Sequence, residues 1–135
     1  MTFLLDTDTC SFLMKRSSRS LIDKVQQFAP GELKVSTVTV YELEHGLQRR
    51  PEAHQLHRVV NAFLHNVEVL PFDAQAARHA GAIRAHLERA GTPIGAYDLL
   101  IAGHARSAGA TLVSHNLREF QRVPELSIAD WALDL

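Results

Sequence analysis

The chain is poor in the features that announce most functional classes. Its one cysteine, Cys10, has no partner in the sequence, which excludes a disulfide-stapled scaffold and suits a reducing compartment such as the cytoplasm. No apolar run approaches the ~20 residues that cross a bilayer, so no membrane association is expected. The opening Met1-Thr2-Phe3-Leu4-Leu5-Asp6 holds no basic residue and meets an acid at once, unlike a secretory signal. The three lysines are Lys15, Lys24 and Lys34, and the rest of the chain has none. There is no glycine-rich phosphate loop, no serine nucleophile elbow and no Cys–His constellation. His54 and His57 share a helix face, but no third zinc ligand accompanies them. Neither charge sign is in excess: 14 basic side chains face 15 acidic ones. A broadly cationic nucleic-acid coat is therefore excluded, and any polyanion must be recognised locally.

What is present is an apolar chain of 135 residues, a length at which one domain buries roughly 65–70% of its unfolded surface. No repeat, low-complexity run or long linker divides it, so residues 1–135 are expected to form a single domain. Charge is unevenly placed. Residues 76–122 carry Arg78, Arg84, Arg89, Arg106, Arg118 and Arg122 against Glu88, Asp98 and Glu119, a net +3. Such a segment suits phosphate contact, although arginine-solvated helix faces would look the same.

Periodicity predicts alternating strands and helices. Thr2–Leu5, Leu33–Ser36, Val67–Leu70 and Thr111–Ser114 read as short buried strands, with Leu126–Ile128 as a candidate fifth. Asp8 or Thr7 is placed to cap a short helix through Ser11–Met14. Leu21, Ile22, Val25 and Phe28 predict a helix stopped by Pro30-Gly31. Further helices are expected from about Val38 to the Arg49-Arg50-Pro51 break, over 52–66, from Asp73 to Gly91, over Tyr97–Ser107, and as one turn at Leu117–Phe120. The alternation predicts an α/β/α sandwich around a mostly parallel sheet of four to five strands.

In such a sheet, ligands gather beyond the carboxyl ends of the strands. Asp6 ends the first strand, Glu42 lies early in the helix after the second, and Asn116 and Glu119 follow the fourth. Asp98 opens a helix in the apolar setting Ala96-Tyr97-Asp98-Leu99-Leu100-Ile101-Ala102, where an ionised carboxylate is costly unless paired or metal-bound. Each acid also has a plain structural reading. Asp6 and Asp98 could be helix caps, Glu42 a solvated acid beside Glu44, and Glu119 a surface partner of Arg118. Their shared edge favours the chemical reading, because clustered carboxylates repel unless a cation joins them, and hard oxygen ligands select Mg2+ or Mn2+.

Four segments in this order resemble the motifs of PIN-domain ribonucleases, in particular the VapC-type toxins of toxin–antitoxin modules. They are Phe3-Leu4-Leu5-Asp6-Thr7-Asp8, Ser36–Leu47 around Glu42, Gly91–Ala105 around Asp98, and Leu112–Pro124 around Asn116 and Glu119. The resemblance spans essentially the whole chain. It implies a PIN-like fold and a Mg2+- or Mn2+-dependent endoribonuclease with Asp6, Glu42, Asp98 and Glu119 as catalytic acids. Asp6 and Asp98, with Asn116 or Glu119, would hold the metal, while Glu42 orients the water. Thr7, Ser36, Thr39 and Ser114 would supply hydroxyls that fix these carboxylates. It further implies structured RNA, such as tRNA, as substrate, 5′-phosphate products and a small antitoxin as inhibitory partner. Homodimer and hetero-oligomer assembly is implied as well, with Leu56–Leu64 as one surface for pairing. The chain departs from the family pattern at Asp8, where Asn is common, which adds a further acid beside the site.

Two other readings compete. Asp6-Thr7-Asp8 after a strand is similar to the opening of haloacid-dehalogenase-like phosphatases, with Asp6 as nucleophile and Asp8 as general acid. That family also needs a late lysine, which this chain lacks. The third reading is a catalytically silent interaction domain of the PIN fold.

Overall fold

In a computed structural model describing residues 1–135, five strands form one wholly parallel sheet. They are β1 (Phe3–Leu5), β2 (Leu33–Ser36), β3 (Glu68–Leu70), β4 (Thr111–Val113) and β5 (Ile128–Ala129), in the order β3-β2-β1-β4-β5. Phe3 pairs with Leu33 on one side and Thr111 on the other. Side chains alternate across a strand, and here both faces are apolar. Leu4 enters a core with Ile83, Ile101, Leu112 and Phe120. Phe3 and Leu5 enter another with Cys10, Leu21, Val35 and Trp131. Burial on both faces explains why the strands read as continuous apolar runs rather than alternating ones.

The helices that cover these faces are α1 (Thr7–Lys15), α2 (Arg19–Val25), α3 (Thr37–Gln48), α4 (His54–His65), α5 (Ala74–Arg89), α6 (Ala96–Ser107) and α7 (Leu117–Phe120). The chain winds outward from β1 to β3 through α1–α4, then crosses back to β4 through α5 and α6. The winding reverses beside β1, which makes its carboxyl end the topological switch point of the sheet. No helix is long and apolar enough to cross a membrane.

Several boundaries differ from the sequence reading. The cap of α1 is Asp6, not Thr7 or Asp8: its carboxylate accepts the Thr9 amide at 2.9 Å, and the helix starts directly after β1. The second helix ends at Val25 instead of reaching Phe28, because the Gln27 and Phe28 amides bond carbonyls three residues back and tighten the last turn. Pro30–Glu32 then forms a 3-10 turn. The last strand is Ile128–Ala129, not Leu126–Ile128, with the Ser127 carbonyl already bonded to Leu112. The apolar side of α4 turns inward: Val60 is buried, and Phe63 and Leu64 pack on the core. Leu56 and Val59 on the same helix stay partly open.

The tightest joint is between α5 and α6. A Cβ placed on Gly103 would stand 2.6 Å from the Ala80 amide nitrogen and 2.7 Å from its Cα and Cβ. Neither backbone can yield without parting the two helices. Gly103→Ala is therefore expected to destabilise the fold by the ~1–3 kcal/mol typical of overpacking. Gly81→Ala, at an open position on α5 with nothing within 4 Å, should stabilise it by up to ~1 kcal/mol through helix propensity. Thermal unfolding of the two variants beside the wild type checks both signs.

Candidate active site

The β1–α1 junction builds the centre of the site. Asp6 is 3% exposed, and its amide donates to the Val113 carbonyl at 3.1 Å. One carboxylate oxygen caps α1, and the Thr9 hydroxyl reaches the same Val113 carbonyl at 3.2 Å. Burial pushes the Asp6 carboxyl above its ordinary range; the Ser114 and Thr9 side chains and the Thr9 amide draw it back, and the Asp8 charge adds to the rise. The structural reading of Asp6 as a cap is correct, and it coexists with a position at the switch point.

Thr7, the first residue of α1, links this centre to α3. Its hydroxyl donates to Glu42 Oε1 at 2.6 Å and lies 3.0 Å from the Thr39 hydroxyl. Glu42 is accordingly a half-buried, oriented acid, whereas Glu44 on the same helix is exposed. On the opposite side of β1, Ser114 follows β4 and its Oγ accepts the Asn116 amide at 2.9 Å. The Asn116 side-chain amide donates to one oxygen of Glu119, and the Gly95 amide donates to the other at 2.9 Å. Glu119 forms no ion pair with Arg118. It ties α7 to the turn that starts α6.

That turn brings up Asp98. The cap of α6 is Gly95, so Asp98 is not the cap and stands in the first helical turn. A Cβ on Gly95 would find Asp98 Oδ2 at 3.5 Å and Glu119 Oε1 at 3.9 Å, which places both carboxylates on one side of that residue. The Asp98 carboxyl is raised to about 7. Burial is the largest cause, followed by the Glu119 charge and the hydrogen bond to Glu119, then the Asp6 and Asp8 charges. Asp8 thus faces the site electrostatically, although its side chain is exposed.

No three acidic, imidazole or thiol side chains converge tightly enough to complete a coordination shell by themselves. The set instead offers one close pair, Asp98 and Glu119, with Asp6 and Asp8 near enough to perturb it. All donors are hard oxygens, and Mg2+ is usually held by one or two carboxylates while keeping several waters. The mutual repulsion of Asp98 and Glu119 that helps to raise the Asp98 carboxyl is what a divalent cation would relieve, so these residues fit such an ion.

Other expected residues lie elsewhere. Ser36 does not reach a site carboxylate: it caps α3 through the Val38 amide and contacts His104 Nδ1 at 2.8 Å. Arg106 is held internally by His79 and the Pro124 carbonyl, and Arg84 makes an exposed pair with Glu88 one helical turn along α5. Arg122 stays at the rim, donating to the Pro93 carbonyl at 3.2 Å. Cys10 is fully buried, and burial with the Asp6 charge pushes its thiol well up, which leaves it inert. Lys34 pairs with Glu68, and Lys24 lies 5.7 Å over the Phe28 ring, so neither assists Asp6 in phosphatase chemistry. Thr9 and Gly95 were not legible as site residues, since one acts by a carbonyl contact and the other by a bare amide.

An acidic cluster at the switch point of a five-stranded parallel sheet is the arrangement of the PIN domain. The model of that family matches residues 3–126, and the chain belongs to it. The chain is 41% identical over 131 residues to the tRNA(fMet)-specific endonuclease VapC of Salmonella typhimurium, with 97% of this chain and 98% of that protein covered. It is 39% identical over 132 residues to the protein of the same name from Shigella flexneri, with 98% and 99% covered. Among solved structures, DNA-bound VapBC from Salmonella typhimurium matches with a TM-score of 0.90 at 41% identity, covering 97% of this chain and 98% of that one.

The raised Asp98 carboxyl has a consequence for stability. A carboxyl whose pKa rises on folding holds its proton more tightly in the folded chain, so the fold loses stability as pH climbs from 3.8 through about 7. His104, lowered by burial, acts in the opposite sense, so the measurement is a difference between proteins. In EDTA, Asp98→Asn should unfold at nearly the wild-type temperature at pH 4 and at a higher one at pH 8. A difference that stays constant between those pH values would remove the carboxylate repulsion inferred here.

Proposed function

We propose that the protein is a divalent-metal-dependent endoribonuclease that acts as the toxin of a toxin–antitoxin pair, hydrolysing phosphodiester bonds of structured RNA, tRNA included. The observation that carries this reading is the juxtaposition of the Asp98 and Glu119 carboxylates beside Gly95, with the buried Asp6 close enough to raise the Asp98 carboxyl further. Mg2+ or Mn2+ held by Asp6, Asp98 and Glu119 would supply Lewis acidity to the phosphate and to an attacking water. Glu42, fixed by the Thr7 hydroxyl, would orient that water. Asn116 would act by holding Glu119 in place beside Asp98. Thr9 and Ser114 keep the Asp6 carboxylate in register, and the rim arginine Arg122 meets the RNA backbone.

A groove of about 360 Å³ supports the partner reading. It runs between α1, α3 and α4, with Met14, Leu43, Leu47, Leu56 and Val59 along it and Glu42 also in its lining. A short amphipathic segment of a small antitoxin would bury its apolar side there, folding as it binds. From that position an arginine could pair bidentately with the site carboxylates and block both cation and phosphate.

RNA cleavage should stop in EDTA and return with excess Mg2+ or Mn2+. Continued cleavage in EDTA with 2′,3′-cyclic phosphate ends would exclude this mechanism, because such ends arise from 2′-hydroxyl attack. Asp98→Asn should lose more than the ~10–100-fold typical of removing a group behind a metal ligand, while Glu44→Gln stays within about two-fold. Co-expression with the small protein encoded beside it should give a complex that cleaves no RNA; absence of both complex and inhibition would remove the toxin reading and leave the nuclease.

A further inference from the structure

Two large aromatic side chains stand open at the mouth of the site, and neither the acids nor the groove uses them. Tyr41 is 51% exposed and Tyr97 44%. Each directly precedes a site acid, Glu42 on α3 and Asp98 on α6. Their hydroxyls meet at 3.0 Å, and their rings lie 5.4 Å apart, tilted by 53°. Tyr41 also stacks parallel to His45, at 6.3 Å and 8°. Exposed aromatic rings normally lose rotamer freedom only when something packs on them; Tyr97 is bridged in place to Tyr41 and still has almost half of its surface open.

We propose that Tyr97, braced through its hydroxyl by Tyr41, whose ring stacks on His45, stacks on a nucleobase adjoining the scissile phosphate of the RNA substrate and so fixes where along the strand the cut falls. The inference rests on the ribonuclease reading and adds a positioning residue to it. An acidic pocket in a chain of net charge −1 gains little from phosphate attraction alone, and stacking on an aromatic ring is the principal non-ionic source of affinity for single-stranded bases. Geometry selects the mode. A base entering between the two tyrosines would need about 7 Å, twice the ~3.5 Å of carbon contact, and would break the hydroxyl bridge. Tyr41 already has His45 along its ring, so Tyr97 is the ring with one aromatic neighbour and room for a base. A protein partner is the less favoured occupant, because neither tyrosine lines the apolar groove.

The test uses the full-length protein with Mg2+ and mixed-sequence single-stranded RNA 12-mers carrying 2-aminopurine at successive positions. Wild type and Tyr97→Phe should quench the probe when it adjoins the cut, and Tyr97→Ala should not. Tyr97→Ala should raise the KM for cleavage about ten-fold or more with kcat little changed, and should spread the cut over neighbouring bonds. Tyr41→Phe, which removes the brace and keeps the ring, should fall in between. All variants should unfold within a few degrees of wild type, since both rings are exposed. Wild-type KM or retained quenching in Tyr97→Ala overturns the proposal, as does a Tyr97→Phe that fails equally, because the hydroxyl would then be the active group. A Tyr97→Ala that cleaves normally but no longer binds its inhibitory protein assigns the rim to that protein instead. Quenching that depends on Tyr97 without any cleavage would overturn the nuclease reading and leave the stacking intact. Neither quenching nor cleavage by the wild type overturns both.

Discussion

Everything at the carboxyl edge of the sheet depends on holding the Asp6 carboxylate almost wholly out of water. Burying an ionised carboxylate is costly unless hydrogen bonds replace its hydration, and here the replacement is the start of a helix. The Thr9 amide and the positive end of α1 face it, while its own backbone is pinned to β4. From this point two chains of contacts run outward. One passes from α1 through Thr7 to Thr39 and Glu42, fixing α3. The other passes from Ser114 through Asn116 and Glu119 to Gly95, fixing the entry to α6. The same residue ends a strand, begins a helix and supplies charge, so its place in the fold and its place in the site are not separable.

Helix α3 shows how one turn of backbone serves several surfaces. Successive residues are rotated by ~100°, so Tyr41 reaches the rim, Glu42 the pocket and Leu43 the core beside the groove. Contacts made at the groove and at the rim are consequently read by the same rigid helix. The other face of the sheet has a different character. There α5 and α6 meet backbone to backbone at Gly103 and Ala80, a joint with no slack, which gives Asp98 and Tyr97 a firm base at the start of α6.

Much of this was legible in the sequence because burial on both faces of a parallel sheet leaves a plain record. Apolar runs followed by Asp6, by Ser36 and by Ser114 mark strand ends, and an acid at such an end is conspicuous. Asp98 was legible for the opposite reason, as a charge in an apolar helix. What sequence could not assign was the partner of each hydroxyl and amide. Ser36 and Ser114 both follow strands, yet one turns to His104 and the other to Asn116, since the choice depends on which helix packs above. Gly95 contributes a backbone N–H, which any residue type would carry. The Tyr41–Tyr97 pair joins residues 56 positions apart, and no local pattern brings them together. The α2 boundary was misread because the apolar spacing through Phe28 continues past the last α-helical bond.

The strand order also governs when the site comes into being. β1 is the first strand made, yet it lies in the middle of the sheet, and the Thr9 hydroxyl finds its carbonyl partner 104 residues further along. At ~5–20 residues per second of synthesis, about 5–20 s separate the emergence of the two ends of that contact. During this interval the N-terminal acids exist without the Asp98–Glu119 pair that faces them. A nascent chain therefore carries the parts of the site long before it carries the site.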